Sequence, residues 1–514
     1  MYDEWRGTEG YHEHVVPFAQ ILEGTNWERL AADSERRFRQ QGVTFALGES
    51  GSDTVERTIP FDPIPRLISF QEWQHLEAGL VQRVTALNAF LADIYSEQHI
   101  LHTDILPVDI RHHSQYRAEL RGCVPVHRQL ANIAGIDLVR DASGHFFVLE
   151  DNLRVPSGVA YMLKNREALQ AAVPDIFVSG RVAPVGHYPK WLYETLASLM
   201  PQESAPSIVL LTPGLYNSAY YEHVLLAESM GIPLVEGCDL LVEKNKVFWR
   251  SAKGLLPVHV IYRRIDDEFL DPDVFRADSM LGVKGLIRAY KAGNVAIANA
   301  PGTGVADDKF IYRSVPEMIR FYLNEEPILS NVPTYSFANP DIQQEVRLDP
   351  AQWVVKRVDG AGGYDMLIGA TADAETIEKF LVRAQQCAEH YVVQPVLNLS
   401  GCPTLDAEGH LTERHVDLRP YVLAGETVRV VPGGLTRVAL TPGSLVVNSS
   451  QGGGTKDTWV VYPEIQEKPE GMEKSNVNNI ALSQSLNHVN DQENIPVLST
   501  QTQIQTTIGW GQSA

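Results

Sequence analysis

The sequence predicts an α/β (α+β) fold, and patterns in three parts of the chain indicate it. Apolar residues recur every three or four positions over 68–101, which is the spacing of one or two amphipathic helices. Residues 206–250 read as strand, helix, short strand and strand, an alternation typical of an α/β unit with a parallel element. Residues 353–440 contain apolar or alternating runs around glycine-rich turns, which indicate strands.

The remaining elements follow in chain order. A hairpin is expected over 135–152, where the turn DASG separates two apolar runs. Further predictions are a strand at 258–265, a helix and buried strand over 271–300, a helix over 314–329, two strands flanking a glycine loop over 353–369, a helix over 371–388 with Thr371 as candidate N-cap, and strands at 390–397, 414–425 and 426–440.

Composition narrows the class of protein. The chain has 514 residues, 44% of them hydrophobic and 21% charged, as in ordinary soluble proteins, so about three structural units are expected. The formal net charge of −21 argues against chain-wide nucleic-acid binding, while a local basic pocket stays compatible with it. Four scattered cysteines without a CxxC pair exclude a zinc knuckle or thioredoxin motif and fit a reducing compartment.

The two ends of the sequence differ in character. The N-terminus is polar and acidic and lacks the apolar segment of a secretory signal. Since no run of about 18 apolar residues occurs either, we expect a cytoplasmic protein without membrane association. From residue 463 to residue 514 the composition turns to Gln, Asn, Ser and Thr, which predicts a disordered tail.

The first candidate site lies at the end of the predicted hairpin. Glu150 and Asn152 stand two apart on one strand, so they share a face and offer hard oxygen ligands of the kind that hold Mg²⁺ with phosphates. Asp137 lies near Glu150 if Val139 pairs with Val148 or close to it. Arg154 would reach a phosphoryl group with its planar fork.

Two lysines supply a second set of candidates. Lys356 lies inside an apolar strand, where an ammonium needs an anionic partner, and the glycines that follow would let a loop close over phosphates. Lys309 begins a predicted helix, where a bound anion would offset its unfavourable interaction with the helix dipole. The alternative for the glycine-rich segment after Lys356 is an ordinary turn, and the alternative for Lys309 is a solvated lysine.

The C-terminal part contributes a third set. His415, Asp417 and Arg419 alternate on one strand and therefore share a face, and Arg437 follows a Gly-Gly turn. The stretch 448–457 combines three consecutive glycines with Lys456. Neither a GxSxG elbow nor an HExxH motif is present, so a serine hydrolase of that type and a zincin are not supported.

Together these segments resemble the circularly permuted ATP-grasp type 2 family, which includes glutathionylspermidine-synthase-like proteins. The order of motifs agrees with permutation, since Glu150 and Asn152 precede both lysines. The resemblance spans most of residues 1–462 and is carried by YDE (2–4), LEDNLRVPSGVAYMLKNR (149–166), YNSAYYEH (216–223), MGIPLVEGCDLLV (230–242), YRRIDDEFLDP (262–272), NAPGTGVADDK (299–309), VVKRVDGAGGYDM (354–366), RHVDLRPYV (414–422), PGGLTRVAL (432–440) and NSSQGGGTKDTWV (448–460).

The resemblance implies a role for each matching residue. One departure is that Gly135 stands where related ligases often carry an arginine, for which Arg140, Arg419 or Arg437 would compensate. The implied assignments are Mg²⁺ for Asp137, Glu150 and Asn152; the ATP phosphates for Lys309 and Lys356; a lid for Gly360, Gly362 and Gly363; the hinge beside adenine for Gln394; acyl-phosphate stabilisation for Arg154; and substrate or phosphate contact for Arg437 and Lys456.

The resemblance also implies an ATP-grasp fold with an added subdomain. The expected units are a mostly helical segment (1–100), core strands that bind metal (101–200), an α/β pre-ATP-grasp-like subdomain (201–300), a nucleotide-binding and lid region (301–462) and the tail (463–514).

The implied activity is an ATP- and Mg²⁺-dependent ligase that joins a small-molecule or peptide carboxylate to an amine through an acyl phosphate. A non-catalytic ATP-binding protein that docks a partner protein and a small-molecule kinase are the two alternatives.

Overall fold

The chain is organised around a large mixed sheet in the computed structural model, which describes residues 2–47, 55–125, 127–215, 217–358, 365–447 and 453–463. The predicted tail from residue 464 onward lies outside these ranges. The strands are β1 (Arg6–Gly7), β2 (Gly10–Tyr11), β3 (Thr44–Leu47), β4 (Val55–Thr58), β5 (Arg66–Ser69), β6 (Ile133–Arg140), β7 (Phe146–Asn152), β8 (Ile208–Leu211), β9 (Leu234–Val235), β10 (Leu240–Glu243), β11 (Lys246–Ser251), β12 (Gly254–Val258), β13 (Val260–Arg263), β14 (Ala296–Ala298), β15 (Ser330–Asn331), β16 (Tyr335–Ser336), β17 (Trp353–Arg357), β18 (Met366–Ile368), β19 (Tyr391–Pro395), β20 (Gly401–Leu405), β21 (Leu411–Arg419), β22 (Tyr421–Ala424), β23 (Val428–Val430), β24 (Leu435–Val438) and β25 (Gly454–Val461).

Twelve α-helices accompany these strands in the described residues. The α-helices are α1 (Ala19–Gly24), α2 (Trp27–Gln41), α3 (Phe70–Ile94), α4 (Val159–Ala172), α5 (Pro174–Val178), α6 (Tyr188–Ala197), α7 (Tyr220–Met230), α8 (Leu286–Lys291), α9 (Lys309–Tyr312), α10 (Val315–Leu323), α11 (Pro340–Leu348) and α12 (Ala374–Gln385). The mixture of helices and sheets agrees with the predicted fold class.

The large sheet is mostly antiparallel. Its main path runs β15–β7–β6–β21–β24–β25–β5, and β20, β22 and β23 join it at the sides. The parallel pairs within the described residues are β15 with β7 and β25 with β5. Strands β6, β21 and β24 lie next to one another in the middle, so side chains from three distant parts of the sequence meet there.

Helix α3 is the predicted amphipathic helix of residues 68–101. It begins with a capping box, in which Ser69 Oγ accepts from Glu72 N at 3.2 Å and Glu72 Oε2 accepts from Ser69 N at 3.3 Å. Its apolar residues are buried in the principal core beneath the sheet. At Gly79 a Cβ atom would lie 2.3 Å from Leu329 Cγ, so the glycine permits a close crossing with the segment that leads into β15.

A second, smaller sheet confirms the predicted parallel element. Its order is β14–β13–β8–β9, and all of its neighbouring strands are parallel. Helix α7 connects β8 to β9 and ends at Gly231, whose positive φ of 66° is the left-handed conformation that glycine favours. The antiparallel strands β10, β11 and β12 form a separate three-stranded sheet.

A third sheet, ordered β16–β19–β17–β18, is antiparallel and carries Lys356 and Gln394. Helices α11 and α12 pack their apolar residues against it. The N-cap of α12 is Asp373, which accepts from Thr376 N at 2.8 Å, so the expectation of a cap at Thr371 is wrong. A carboxylate two residues later provides a stronger cap than the threonine hydroxyl.

Among the described residues, the search for helices long and apolar enough to cross a bilayer finds none.

The N-terminal Tyr2-Asp3-Glu4 motif has a structural role in this fold. Glu4 is fully buried and accepts from Arg66 Nη2 at 2.5 Å, Arg140 Nη1 at 2.7 Å and Ser400 Oγ at 2.7 Å. Burial alone would raise the pKa of Glu4, but Arg66 and Arg140 hold it below its usual value. The carboxylate therefore joins the N-terminal segment to β5 and β6 by charge.

We expect Glu4→Gln to lower the free energy of unfolding by about 3–5 kcal/mol at pH 7, because buried Arg66 loses its counter-charge and Arg140 keeps only that of Glu72. Because the pKa of Glu4 is lower in the folded than in the unfolded state, its carboxylate stabilises the fold at pH values above the unfolded pKa of roughly 4. This stabilisation is lost as the pH falls from there through the folded-state pKa. The difference between wild type and variant should therefore shrink between pH 6 and pH 3. Urea unfolding followed by tryptophan fluorescence, repeated across this pH range, measures the loss of stability at pH 7 and its dependence on pH. Glu9→Gln, at an exposed carboxylate nearby, is the control; an equal loss in both variants would contradict the assignment.

Candidate functional site

The hairpin of β6 and β7 brings the predicted acidic residues together. Asp137 pairs directly with Glu150. The register shifts at the next position, where Leu138 pairs with Val148, so Val139 meets Phe147 and not Val148. A β-bulge at Leu149 accounts for the one-residue difference from the expected register. The backbone pairing thus places Asp137 beside Glu150, as expected.

Two arginines enclose Asp137, which is fully buried. Arg419 donates from Nε at 2.5 Å and from Nη2 at 2.7 Å, and Arg437 donates from Nη2 at 2.6 Å. Arg437 also pairs with Asp417, with Nε 3.0 Å from each carboxylate oxygen. Burial alone would raise the pKa of Asp137, but the two guanidiniums hold it well below its usual range.

Of the three arginines expected to compensate for Gly135, two lie beside Asp137. A Cβ atom on Gly135 would lie 3.2 Å from Arg419 Cδ, so Arg419 covers this position. Arg437 lies on the neighbouring strand, within reach of the same carboxylate. Arg140 does not lie at this site, because its guanidinium pairs with the carboxylates of Glu4 and Glu72.

The two lysines approach from opposite sides. Lys309 is the first residue of α9, behind the N-cap Asp308, and its Nζ lies 3.6 Å from Glu150 Oε2. Lys356 on β17 donates from Nζ to Gln394 Oε1 at 2.7 Å. Desolvation lowers the pKa of Lys356 to about 8; Glu150 raises it and Lys309 lowers it further.

Two adjoining cavities meet at these charges. The first is here called the apolar cavity, and Lys356 and Gln394 lie in its wall. The rest of that wall is mainly apolar and includes Val139, Leu149, Val332, Val354, Met366, Ile368, Leu397 and Leu399. The second, the polar cavity, has a volume of about 470 Å³, within the range of small-molecule sites. Glu150, Lys309 and Arg437 line both.

The polar cavity has a ligand set that fits a hard cation in part. Glu150 meets Lys309 and Arg419 only at 3.6 and 3.9 Å, so its oxygens keep capacity for a metal. Asn152 donates from Nδ2 to Gly135 O at 3.1 Å, which leaves its amide oxygen as an acceptor. Both are hard oxygen ligands of the type that Mg²⁺ takes together with phosphates. The oxygens of Asp137 are already engaged by Arg419 and Arg437, so it fits direct coordination less well.

Arg154 lies in the polar cavity between two carboxylates. Its Nε is 3.3 Å from Asp307 Oδ2, and its Nη1 is 3.6 Å from Asp266 Oδ1. Asp307 also accepts from the backbone N–H groups of Leu153 and Arg154. Desolvation raises the pKa of Asp307 to about 6, against the opposing effect of Arg154.

The remaining predicted residues lie in different places. Gln394 is in the apolar cavity, bonded to Lys356 and, through Nε2, to Thr334 Oγ1 at 2.8 Å. Lys456 is not brought to either cavity; it is buried in β25 and donates to Asp62 and, at 2.8 Å, to Pro403 O. An internal carboxylate thus provides the partner that a buried lysine needs. Gly360, Gly362 and Gly363 lie outside the described residues.

Several residues of the polar cavity had no predicted role. Asp307 stands in an Asp-Asp pair directly before Lys309, a signal in the sequence that would have marked it. Asn217 and His223 come from α7 and the loop before it, and Arg264 follows β13. Their contribution depends on how the parallel sheet packs beside the hairpin, which no local sequence pattern records.

Comparisons with known proteins give a consistent result. The model of the circularly permuted ATP-grasp type 2 family matches residues 65–439. The protein sll0335 of Synechocystis sp. is 52% identical over 428 residues, which cover 83% of this chain and 89% of that protein. A Frankia casuarinae protein named "Putative glutamate--cysteine ligase 2-2" is 40% identical over 429 residues, covering 83% of this chain but 49% of its own length.

A solved structure resembles the fold. It is a glutathione synthetase-like effector from Globodera pallida in its apo form, with a TM-score of 0.54 at 11% identity, covering 86% of this chain and 99% of that one. At this identity the likeness concerns the fold alone.

Gly135→Ala provides a test of the packing around Arg419. The new methyl group would lie 3.2 Å from Arg419 Cδ and 3.3 Å from Pro156 Cβ, so we expect a loss of about 1–3 kcal/mol in the free energy of unfolding. Thermal or urea unfolding measures the loss. Gly24→Ala is the matched control, because nothing lies within 4 Å of the added carbon in helix α1. A neutral Gly135→Ala variant would show that Arg419 does not pack here.

Proposed function

The chain belongs to the circularly permuted ATP-grasp type 2 family, and from this we propose that it is an ATP-dependent ligase that forms a C–N bond between a carboxylate and an amine. The proposed intermediate is an acyl phosphate. The Frankia relative whose name denotes a glutamate–cysteine ligase supports the assignment to ligases. The shared fold agrees with the assignment to ligases, although a fold by itself does not determine an activity.

One observation carries the proposal: the apolar and polar cavities meet at Glu150, Lys309 and Arg437. An apolar slot of this kind suits an adenine ring, and the charged junction suits a triphosphate. The polar cavity beyond the junction suits the second substrate. This arrangement would put the terminal phosphate of ATP next to a substrate carboxylate, which is the geometry that the first chemical step requires.

The proposed reaction has two steps. In the first, an oxygen of the substrate carboxylate attacks the γ-phosphorus of ATP, the bond to the β,γ-bridging oxygen breaks, and ADP leaves. In the second, an amine attacks the acyl carbon, and inorganic phosphate leaves with the former carboxylate oxygen. The amine gives up a proton as the amide forms.

The chain's own residues would act mainly by position and charge. Lys309 and Lys356 would hold phosphate oxygens, and Arg154 would offset the charge that develops on the acyl phosphate. Mg²⁺, held by Glu150 and Asn152, would supply positive charge at the phosphates. Gly360, Gly362 and Gly363 are proposed to cover the site, since an acyl phosphate must be kept from water.

The direct test is isothermal titration with AMP-PNP, with and without Mg²⁺, on wild type and Glu150→Gln. We expect Mg²⁺-dependent binding in wild type and roughly 10- to 100-fold weaker binding in the variant, because one charged ligand is lost. Glu236→Gln, outside both cavities, is the control. Wild type that binds no nucleotide would refute the proposal. In a separate turnover assay with ATP, a carboxylate and an amine, ADP release with a stable phosphorylated product and no amide would favour a kinase instead.

Nucleotide affinity should also depend on pH through Lys356. Its lowered pKa of about 8 means that the ammonium is present below pH 8 and is lost in the free protein above it. We therefore expect AMP-PNP affinity to fall by up to about tenfold per pH unit between pH 8 and pH 9.5. Lys356→Arg should keep its affinity over this range, since a guanidinium stays charged. The exposed Lys379→Arg is the control; the same pH profile in wild type and Lys356→Arg would exclude this role.

A further inference from the structure

One end of the polar cavity is not used by the proposed nucleotide chemistry. It is formed by the layer of the small parallel sheet, with Asn217, Ala219 and His223 from α7 and the loop before it, and Arg264 from the end of β13. His223 has only 1% and Arg264 only 2% of its surface exposed, yet both line the cavity. This end is here called the α7 end.

The hydrogen bonds of His223 determine which nitrogen carries its proton. Its Nδ1 lies 2.9 Å from Thr212 Oγ1, and that oxygen also accepts from Gly214 N at 3.1 Å. If Nδ1 were the donor, the buried Thr212 hydroxyl proton would lack an acceptor among the described residues, which is unfavourable for a buried polar group. Thr212 therefore donates to Nδ1, and the proton of the neutral ring sits on Nε2.

His223 Nε2–H is thus a donor that faces the cavity. It has no partner among the residues that the structure describes. Burial and, to a smaller extent, the nearby charge of Arg264 together lower the pKa of His223 to about 2, so the ring stays neutral at physiological pH. A neutral imidazole in this state offers a hydrogen bond without adding charge.

Other donors surround this group. Asn217 accepts from Ala219 N through Oδ1 at 2.9 Å, so its NH₂ group is what it offers to a ligand. Helix α7, of 11 residues, begins behind Ala219, which has no side-chain cap. The start of this helix therefore adds the positive end of its dipole, while the N–H groups of Tyr220 and Glu222 already donate to Asn217 O at 3.0 Å and Ala219 O at 2.9 Å.

The charge at the α7 end is modest. Arg264 donates to Pro156 O at 2.6 Å and to Glu222 Oε1 at 3.0 Å, so Glu222 balances its charge. Glu222 in turn accepts from Gly158 N at 2.7 Å and Ala160 N at 3.0 Å. Two neutral donors, His223 and Asn217, beside a balanced ion pair suit a singly charged carboxylate better than a dianionic phosphate.

We infer that the α7 end binds a second carboxylate of the acyl substrate, distinct from the carboxylate that is phosphorylated at Lys309. The acyl substrate is then a compound with two carboxylates, which spans the polar cavity from Arg154 to His223. This inference rests on the proposed ligase function, and it makes His223 a specificity-determining residue.

The test is titration calorimetry with carboxylates of matched length in the presence of AMP-PNP and Mg²⁺. The dicarboxylates from malonate to pimelate are compared with the monocarboxylates from propionate to heptanoate. We expect at least one dicarboxylate to bind wild type tenfold or more tightly than its monocarboxylate. His223→Ala should remove this preference while leaving monocarboxylate affinity unchanged, and His223→Gln should restore part of it, because its amide N–H donates.

The controls separate this inference from the proposed function. His410→Ala, at a side chain with 78% exposure, should bind like wild type. Wild type that binds AMP-PNP but prefers no dicarboxylate overturns the inference alone, as does an equal loss of both probe classes in His223→Ala. Wild type that binds no AMP-PNP overturns the proposed function and the inference with it.

Discussion

The buried charge network across β6, β21 and β24 is the constraint on which the site depends. Asp137 and Asp417 lie within the sheet and are matched by Arg419 and Arg437. None of these groups is stable there alone, because an unpaired charge in the interior is far costlier than a paired one. Asp417 pairs in register with Arg437 on β24 and with Val139 on β6, so the network requires these three strands to be neighbours. Once they are, Glu150 on β7 must face the junction of the two cavities.

Much of this arrangement could be predicted from the sequence. The hairpin, the same-strand alternation of Asp417 and Arg419, the lysine in β17 and the helix start at Lys309 follow from local patterns, and the structure has them. Lys456 was the opposite case, since glycine-rich surroundings pointed to a ligand while Asp62, almost 400 residues earlier, is its partner. The role of Glu4 and the polar cavity's α7 end depend on contacts between distant segments. Such contacts leave no periodic signal in a single sequence.

The order of elements along the chain fits the permuted topology. Strand β25, at the end of the described chain, pairs in parallel with β5, so Trp459 lies beside Leu67 in one sheet. Glu150 of β7 precedes Lys309 and Lys356 in the chain, yet all three line the apolar cavity. Permutation changes which peptide connections exist without changing which side chains meet. The chemistry of the site is therefore set by sheet order and not by chain order.

Charge balance at the junction bears on how a nucleotide would bind to so acidic a chain. Net charge is a poor guide here, because charges more than about 8 Å apart in solution are largely screened at physiological salt. What matters is the local balance: Lys309, Arg437 and Arg154 are already paired with the carboxylates of Glu150, Asp137, Asp417 and Asp307. A triphosphate that entered this nearly balanced cluster would bring excess negative charge. Under the proposed function, a divalent cation arriving with the phosphates would offset this excess, and Glu150 and Asn152 would supply oxygen ligands for it.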